Sequence, residues 1–128
     1  MEAYRRIGQA DSIESLERTR HDLESAYGAL PAVVAELLEL AEVRLAACAI
    51  GVRAIVIREE DVVFRTIEPR MLEQLMKGVK GRMRVIGSRD VSGHFEVYYR
   101  PPRKHLEPRT LLSILRTRLL PDMLEEAV

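Results

Sequence analysis

The residue types that most often do chemistry are few in this 128-residue chain, and they are not arranged in catalytic patterns. Its three histidines, His21, His94 and His105, are not spaced to bind one metal ion together, so surface or boundary positions are favoured for all three. The serines stand in no nucleophile-elbow sequence. The single cysteine, Cys48, excludes an internal disulfide and a cysteine-based zinc site, and its apolar helix face predicts a small buried side chain. We therefore predict no catalytic site.

Phosphate and metal chemistry have equally little support in the sequence. The glycines are isolated and none belongs to a loop that ends in Lys followed by Ser or Thr, so no ATP-binding loop is predicted. Glu59, Glu60 and Asp61 form an acidic tip, which leaves two interpretations, an acidic metal site or a solvated turn. The solvated turn is favoured because no partner ligand converges on the tip. We predict no cofactor, no metal ion and no ATP hydrolysis.

Charge is the remaining indication of function, because it is divided unevenly along a chain of zero net charge. Residues 1–68 carry 13 acids and 8 bases, whereas residues 69–128 carry 7 acids and 12 bases. Such asymmetry indicates either two solvated faces or a surface for a charged partner. The second half predicts a basic surface containing Lys80, Arg82, Arg84, Arg89, Arg100, Arg103 and Lys104, with Tyr98 and Tyr99. The first half predicts an acidic surface containing Glu14, Glu17, Asp22, Glu24, Glu36 and Glu39.

One long helix, predicted over residues 31–51, is the element around which the others are expected to pack. Pro31 suits a first helical turn and Gly51 suits a left-handed cap. Between them an apolar stripe at helical spacing contains Val34, Leu37, Leu38, Ala41, Leu45 and Cys48. Because the other side is nearly as apolar, we predict a central buried helix with Leu38, Ala41 and Leu45 excluded from solvent.

A second helix is predicted before the long one. A capping-box pattern at residues 11–14 predicts a helix that ends near Tyr27, and the short connector over residues 28–31 predicts a helical hairpin. Residues 1–10 are interpreted as a linker or a helix remnant, and residues 1–128 as a single domain excised from a larger protein. Because the chain begins without a signal peptide, a cytoplasmic location and no membrane contact are expected.

After the long helix the apolar period changes from 3.6 to 2, which indicates strands. Four strands are predicted, at residues 52–58, 61–66, 83–86 and 94–100. They form two hairpins, the second with a loop over residues 87–93, and each precedes a helix that begins apolar-Glu-Pro-Arg, at residues 67–70 and 106–109. The last helix ends at Pro121, and a tail follows. The predicted fold is α+β, in the order α-α-α-β-β-α-β-β-α, with a four-stranded sheet covered by helices.

Several motifs in the first half resemble the C-terminal domain of bacterial transcription-repair coupling factors. They are Tyr4-Arg5-Arg6-Ile7, the helix over residues 16–23, Tyr27-Gly28-Ala29-Leu30-Pro31, Leu37-Leu38 with Ala41 and Arg44, and Ile50-Gly51-Val52. The family reads Tyr-Lys-Arg-Ile, then a helix that ends Glu-Leu-x-Asp-Arg-Phe-Gly-x-Leu-Pro, then a Leu-Leu helix that ends Leu-Gly-Ile. The motifs cover residues 4–52, and the order of elements after them is also similar.

The resemblance implies a non-catalytic regulatory domain. Members of the family are ATP-driven DNA translocases that displace stalled RNA polymerase and recruit the excision-repair protein UvrA. Their C-terminal domain docks on an N-terminal module similar to UvrB and masks the UvrA-binding surface until the motor is engaged. For this chain the resemblance implies direct binding to the UvrB-like module of the same parent chain, and contact with UvrA and RNA polymerase only through the parent.

The family's docking stretch falls on residues 22–28. Asp22 stands for its Glu, Ser25 and Ala26 replace its Asp and Arg, and Glu24 is expected to supply part of the lost charge. The resemblance thus implies docking through Asp22, Glu24 and Ser25, with the Asp22 carboxylate free to meet a basic partner.

An alternative interpretation is a nucleic-acid-binding module that uses the basic second half. Neutralising phosphates needs basic side chains and stacking nucleobases needs aromatic ones, and this half has both. Since Tyr98 and Tyr99 alternate along one strand, at most one of the two rings lies on any such face.

Overall fold

The computed structural model describes residues 2–86 and 93–120, and it contains the predicted elements in the predicted order. The helices are α1 (Glu2–Gln9), α2 (Ile13–Tyr27), α3 (Ala32–Ala49), α4 (Pro69–Leu75) and α5 (Pro108–Leu119). The strands are β1 (Val52–Arg58), β2 (Asp61–Thr66), β3 (Arg82–Ile86) and β4 (Phe95–Arg100), and a 3-10 turn at Arg103–Leu106 precedes α5. The α+β prediction is confirmed. The predicted loop, up to residue 92, and the tail from Pro121 lie outside the described residues.

The chain divides into two compact units, residues 1–46 and residues 47–128, here called the N-terminal and C-terminal units. The core of the N-terminal unit combines α1, α2 and the first part of α3 and contains Ile7, Ala10, Leu16, Leu23, Leu38 and Ala41. Residues 2–9 are therefore helical, and they contribute Ile7, which is 4% exposed, to this core.

Capping hydrogen bonds define the start of α2 and the end of α1. Ser12, one residue after the first residue of the predicted capping box, is the N-cap of α2, and its Oγ accepts a hydrogen bond from the Ser15 N–H at 3.0 Å. At the end of α1, the Arg44 guanidinium donates to the carbonyls of Gly8 and Ala10 at 3.1 Å each, and to that of Ile7 at 3.4 Å. A helix leaves its last carbonyls without intrahelical partners, so Arg44 of α3 caps α1.

The burial of α3 differs from the prediction in detail. Leu38 and Ala41 are buried, as predicted, but Leu45 is only partly buried. Cys48, predicted to be buried, is exposed, and its Sγ accepts a long hydrogen bond of 3.8 Å from Arg53.

The reason is that the buried side of α3 changes along the helix. Ala47, which is 2% exposed, lies two and a half turns after Leu38 and therefore on the opposite side. Cys48 lies near the Ala41 side, which is no longer buried in the last turn, and Leu40 also remains exposed at 51%. A helix that buries opposite sides in its two halves is apolar all round without being buried all round.

The four strands form one antiparallel sheet in the order β1-β2-β4-β3. Paired residues in an antiparallel sheet point to the same face, so the register defines two faces. One face, here called the inner face, contains Val62 opposite Tyr99 and Phe64 opposite Val97, and all four side chains have 0% exposure. The other, here called the open face, contains Val63 opposite Tyr98 and Arg84 opposite Tyr98.

The two helix starts predicted from the repeated apolar-Glu-Pro-Arg pattern are confirmed. Glu68 is the N-cap of α4 and Glu107 is the N-cap of α5, and each carboxylate accepts backbone N–H groups of the first turn. The proline that follows each glutamate occupies the first helical position, where no N–H is needed. The pattern is therefore a capping device used twice.

Gly51 joins α3 to β1 in a conformation that only glycine adopts without strain. Its φ is +91°, and a Cβ at this position would lie 2.9 Å from the Ile67 Cγ1. Its carbonyl accepts hydrogen bonds from the Ile67 N–H at 3.1 Å and from the Thr66 hydroxyl at 3.2 Å. The predicted left-handed glycine thus also fixes the end of β2.

Candidate functional site

Asp22, the first of the predicted docking residues, is exposed in the middle of α2 but is not free. Arg6 of α1 donates a hydrogen bond from Nη2 to Asp22 Oδ2 at 2.8 Å. This bond, more than the other nearby charges, holds the pKa of Asp22 below its ordinary value. Asp22 is exposed, as its helix position predicts, and its bond to Arg6 arises because α1, sixteen residues earlier, packs against α2 and brings a base to it.

The Arg6–Asp22 pair is nevertheless open to exchange. The side chains are 36% and 55% exposed, so water screens the attraction between them. Exposed pairs of this kind contribute little to stability. A carboxylate accepts several hydrogen bonds, and Arg6 bonds only Oδ2, so Oδ1 remains able to accept a donor from a binding partner.

The three predicted docking residues do not share one face of α2. Successive residues of a helix are separated by 100°, and Leu23, which is 5% exposed, marks the core side. Asp22 and Glu24 therefore lie on opposite flanks of Leu23, whereas Ser25 lies toward the Asp22 flank and solvent. All three docking residues are exposed. Asp22 and Ser25 can meet one partner surface together, and Glu24 extends that surface only around the far side of the helix.

The flank that carries Glu24 is already occupied by ion pairs that join the hairpin. Arg20 lies between Glu17, at 3.7 Å, and Glu42 of α3, at 3.0 Å. The Glu42 side chain is 12% exposed, so this contact is more shielded than the Arg6–Asp22 pair. The predicted acidic surface is consequently divided, with one part that stabilises the hairpin and another part that faces solvent.

An exposed apolar ridge at the hairpin was not predicted. Tyr27, in the last turn of α2, is 76% exposed, while Val33 and Leu40 of α3 are 54% and 51% exposed. Val33 and Leu40 lie two turns apart on one side of α3, and large exposed side chains that are grouped, rather than scattered singly, mark interaction sites. The signal in the sequence was the nearly uniform apolarity of residues 31–51, which was interpreted as complete burial.

The predicted basic surface of the second half is smaller than the sequence indicated. The Tyr99 ring is fully buried, burial raises the pKa of its hydroxyl, and that hydroxyl donates to the Lys80 carbonyl at 2.8 Å. Arg100 makes a bidentate pair with Asp61, with both distances at 3.0 Å, and Arg103 pairs with Glu60 at 3.1 Å. Arg89 lies outside the described residues. Tyr98 is thus the one tyrosine of the two that can serve a binding face.

The acidic tip is held by ion pairs, and Asp61, at 8% exposed, is not solvated as the favoured interpretation expected. Asp61 and Glu60 are engaged by Arg100 and Arg103, which leaves no converging set of carboxylates. Within residues 2–86 and 93–120, no group of three or more His, Cys, Asp or Glu side chains is placed to hold a metal ion. Over the same residues, no helix is both long and apolar enough to cross a membrane.

Comparisons with known proteins match the chain at the levels of sequence family and fold. The model of the TRCF domain family matches residues 1–75. The crystal structure of a C-terminal domain of transcription-repair coupling factor has a similar fold, with a TM-score of 0.64 and 18% sequence identity over 99% of this chain and 81% of that chain. No curated protein matches the sequence. The first two results agree with the resemblance carried by residues 4–52.

Proposed function

The chain belongs to the TRCF domain family, and from this premise we propose that it is a non-catalytic regulatory domain that docks on the UvrB-like module of a transcription-repair coupling factor. Docking would mask the UvrA-binding surface of that module until the motor is engaged on stalled RNA polymerase. The docking surface is the exposed part of the helical hairpin, with Tyr27 and Glu24 on one flank of α2 and Asp22 and Ser25 on the other.

The observation that carries this proposal is the exposure of Tyr27. A tyrosine with 76% of its surface in water forgoes the free energy that burial of an aromatic ring supplies. Aromatic side chains at the centre of protein interfaces are frequent hot spots, surrounded by polar residues. On α2 the neighbours of Tyr27 one turn earlier are Leu23, which is buried, and Glu24, which is exposed.

Asp22 would give this surface its orientation. Its carboxylate lies on the flank of α2 opposite Tyr27, and a basic residue of the module would bond Oδ1 or displace Arg6 from Oδ2. An exposed charge at the rim of an interface affects mainly the association rate and its salt dependence. We therefore assign affinity chiefly to Tyr27 and registration chiefly to Asp22.

The test is binding of this chain to a purified UvrB-like module, followed by competition with UvrA. Isothermal titration compares the wild type with Tyr27→Ala and Asp22→Arg. The matched controls are Ile57→Ala, which truncates a 60% exposed side chain in the C-terminal unit, and Glu73→Arg, which reverses an exposed acid on α4. Thermal melts of every variant verify folding.

We expect Tyr27→Ala to weaken binding at least about 10-fold, as for an interface hot spot, and both controls to bind as wild type. Bound chain should reduce the affinity of the module for UvrA, and Asp22→Arg should relieve that reduction. If Tyr27→Ala and Asp22→Arg are both folded and both bind the module with wild-type affinity, the hairpin is not part of the interface. Simultaneous binding of UvrA and this chain, with no loss of either affinity, would overturn the masking role.

The proposal assigns no ATP hydrolysis to this chain. Purified chain incubated with ATP and Mg²⁺ should release phosphate only at the background rate of the buffer. Turnover that survives repurification, and that is lost when residues of this chain are changed, would contradict the non-catalytic assignment.

A further inference from the structure

The open face of the sheet concentrates arginines around one aromatic ring. The register places five arginines and the ring on this face: Arg58, Arg65, Arg82, Arg84, Arg100 and Tyr98. The same register places two acids there, Asp61 and Glu96. Because the strands follow the order β1-β2-β4-β3, Arg58 on β1 and Arg84 on β3 approach the ring from either side.

Contacts across the strands confirm that arrangement. Arg58 donates a hydrogen bond from Nη1 to the Tyr98 hydroxyl at 3.1 Å. The Arg84 Cζ lies 5.2 Å from the centroid of the Tyr98 ring, within the range of a cation–π interaction. The Tyr98 ring is only half-buried, in contrast to the neighbouring Tyr99. One guanidinium therefore lies over the ring and another bonds its hydroxyl, and solvent reaches the ring.

The two acids of this face, Asp61 and Glu96, neutralise only part of the charge of its five arginines. Asp61 holds Arg100 through a bidentate pair. In contrast, no carboxylate of residues 2–86 and 93–120 forms an ion pair with Arg58, Arg82 or Arg84, and Arg82 and Arg84 are exposed. Three arginines, one on β1 and two on β3, therefore present positive charge to solvent beside the ring.

We propose that the open face binds single-stranded nucleic acid. Unpaired bases would stack on the Tyr98 ring, while Arg58, Arg82 and Arg84 would neutralise the adjacent phosphates. Arginine-rich grooves that contain aromatic side chains bind single strands in this way, with little dependence on base sequence. A base inside a duplex shows only its edge to a protein, so it cannot stack on the Tyr98 ring. A purely acidic peptide also has no flat ring to stack there.

This site lies in the C-terminal unit and uses no residue of the helical hairpin, so it is independent of the docking proposed above. Loss of nucleic-acid binding would leave docking to the UvrB-like module intact, and the reverse also holds. The two proposals therefore fail separately.

The test is fluorescence anisotropy with labelled twelve-residue oligothymidylate and oligouridylate, titrated with the whole 128-residue chain. Competitors are a duplex of the same length and a polyglutamate peptide. The variants are Tyr98→Leu, which removes the ring, Tyr98→Phe, which keeps it, and Arg84→Gln. Arg70→Gln, at an exposed site on α4, is the matched control for loss of one positive charge.

We expect single strands to bind and the duplex and peptide to compete poorly. Tyr98→Leu should weaken binding at least about 5-fold, whereas Tyr98→Phe and Arg70→Gln should bind as wild type. With three phosphates neutralised, log K should fall with log salt at a slope of about −2, and Arg84→Gln should reduce the magnitude of that slope by about 0.7. Tighter binding of the DNA or of the RNA strand identifies which polymer is the ligand, and either supports the proposal.

Three results would overturn the proposal. The first is an absence of binding at about 50 mM salt, where electrostatic contacts are strongest. The second is equal competition by duplex and polyglutamate, which would show unspecific attraction of anions. The third is wild-type affinity of Tyr98→Leu and Arg84→Gln when thermal melts show that both are folded.

Discussion

Single arginines of the N-terminal unit account for several motif residues whose purpose the sequence did not show. Arg44 caps α1, Arg6 holds Asp22, and Ile7 enters the core beside them. The motif Tyr4-Arg5-Arg6-Ile7 therefore has a structural reason, which is to fasten α1 to α2 and α3. Helical periodicity could place Asp22 on α2, but it could not supply a partner sixteen residues away, so the bond from Arg6 was not predicted.

Leu38 and Leu40 provide a test of the core at the level of single residues. Leu38 is fully buried in the core of the N-terminal unit, whereas Leu40, on the same helix, is 51% exposed. Leu38→Ala should lower the free energy of unfolding by about 2–5 kcal/mol, because it removes buried methyl groups and leaves a cavity. Leu40→Ala should change it by no more than about 0.5 kcal/mol. Urea unfolding followed by circular dichroism measures both, and similar losses for the two variants would contradict the assigned core.

Asp61 should make stability depend on pH in a predictable direction. The hydrogen bonds from Arg100 hold its pKa below the ordinary value of about 3.9, so the unfolded chain binds a proton at a higher pH than the folded chain does. The stabilisation is complete well above pH 4 and is lost as the pH falls through the folded-state pKa.

The corresponding experiment compares the wild type with Asp61→Asn by thermal melts from pH 7 to pH 3. Asp61→Asn should lower the Tm at pH 7, and the difference from wild type should shrink below about pH 4, where the carboxylate becomes protonated. Glu73→Gln, at an exposed position of α4, serves as the control and should follow the wild type. If the difference in Tm between Asp61→Asn and the wild type stays constant down to pH 3, protonation of Asp61 does not contribute to the loss of stability in acid.

At the scale of elements, the sequence predicted the strands and helix starts well and the burial of α3 less well. Val52–Arg58 and Asp61–Thr66 have the predicted bounds because alternation and a two-residue turn are local properties. The side that α3 buries changes between Leu38 and Ala47, and that change depends on packing far along the chain. The prediction assumed that α3 buries the same side along its whole length, starting at Val34, and it therefore placed Cys48 in the core. The structure exposes Cys48.

The two capping glutamates predict a ranking of helix stabilities. Glu107 accepts hydrogen bonds from the Arg109 N–H at 3.2 Å, and from the Thr110 N–H and hydroxyl at 3.0 Å and 2.9 Å. These bonds lower the pKa of Glu107, with the Thr110 hydroxyl as the largest cause. Glu68 accepts a single backbone bond, from the Arg70 N–H at 3.1 Å.

Glu107→Ala should consequently lower the urea midpoint more than Glu68→Ala does. Glu107→Gln keeps an acceptor but loses the charge that favours a helix N-terminus, so it should fall between Glu107→Ala and the wild type. Urea titrations at one temperature and pH give all four midpoints. A larger effect at Glu68 would show that the number of capping bonds does not decide the stability of these two helices.

At the scale of the whole molecule, charge separates along the chain although the net charge is zero. Residues 1–46, the N-terminal unit, carry nine acids and five bases, so their net charge is −4, and the remaining residues carry +4. The sequence predicted this asymmetry, since composition needs no tertiary information. The sequence could not predict which basic side chains remain unpaired. Asp61 pairs with Arg100, and Glu60 with Arg103, only because the folded sheet brings them together.

The last prediction follows from this separation of charge. A molecule that has no net charge but carries an acidic unit and a basic unit attracts copies of itself, acid to base, and its repulsion is weak near the sequence pI of about 6.8. The attraction reaches about 30 Å at 10 mM salt and about 8 Å at 150 mM salt, so salt should weaken it. Static light scattering at pH 7 should therefore give a negative second virial coefficient at low salt that rises toward zero as salt is added.

Association through the apolar ridge formed by Tyr27, Val33 and Leu40 would respond in the opposite sense, because salts that are excluded from the protein surface strengthen burial. A coefficient that becomes more negative in sodium sulfate, and that Tyr27→Ala restores, would assign self-association to the ridge and not to charge.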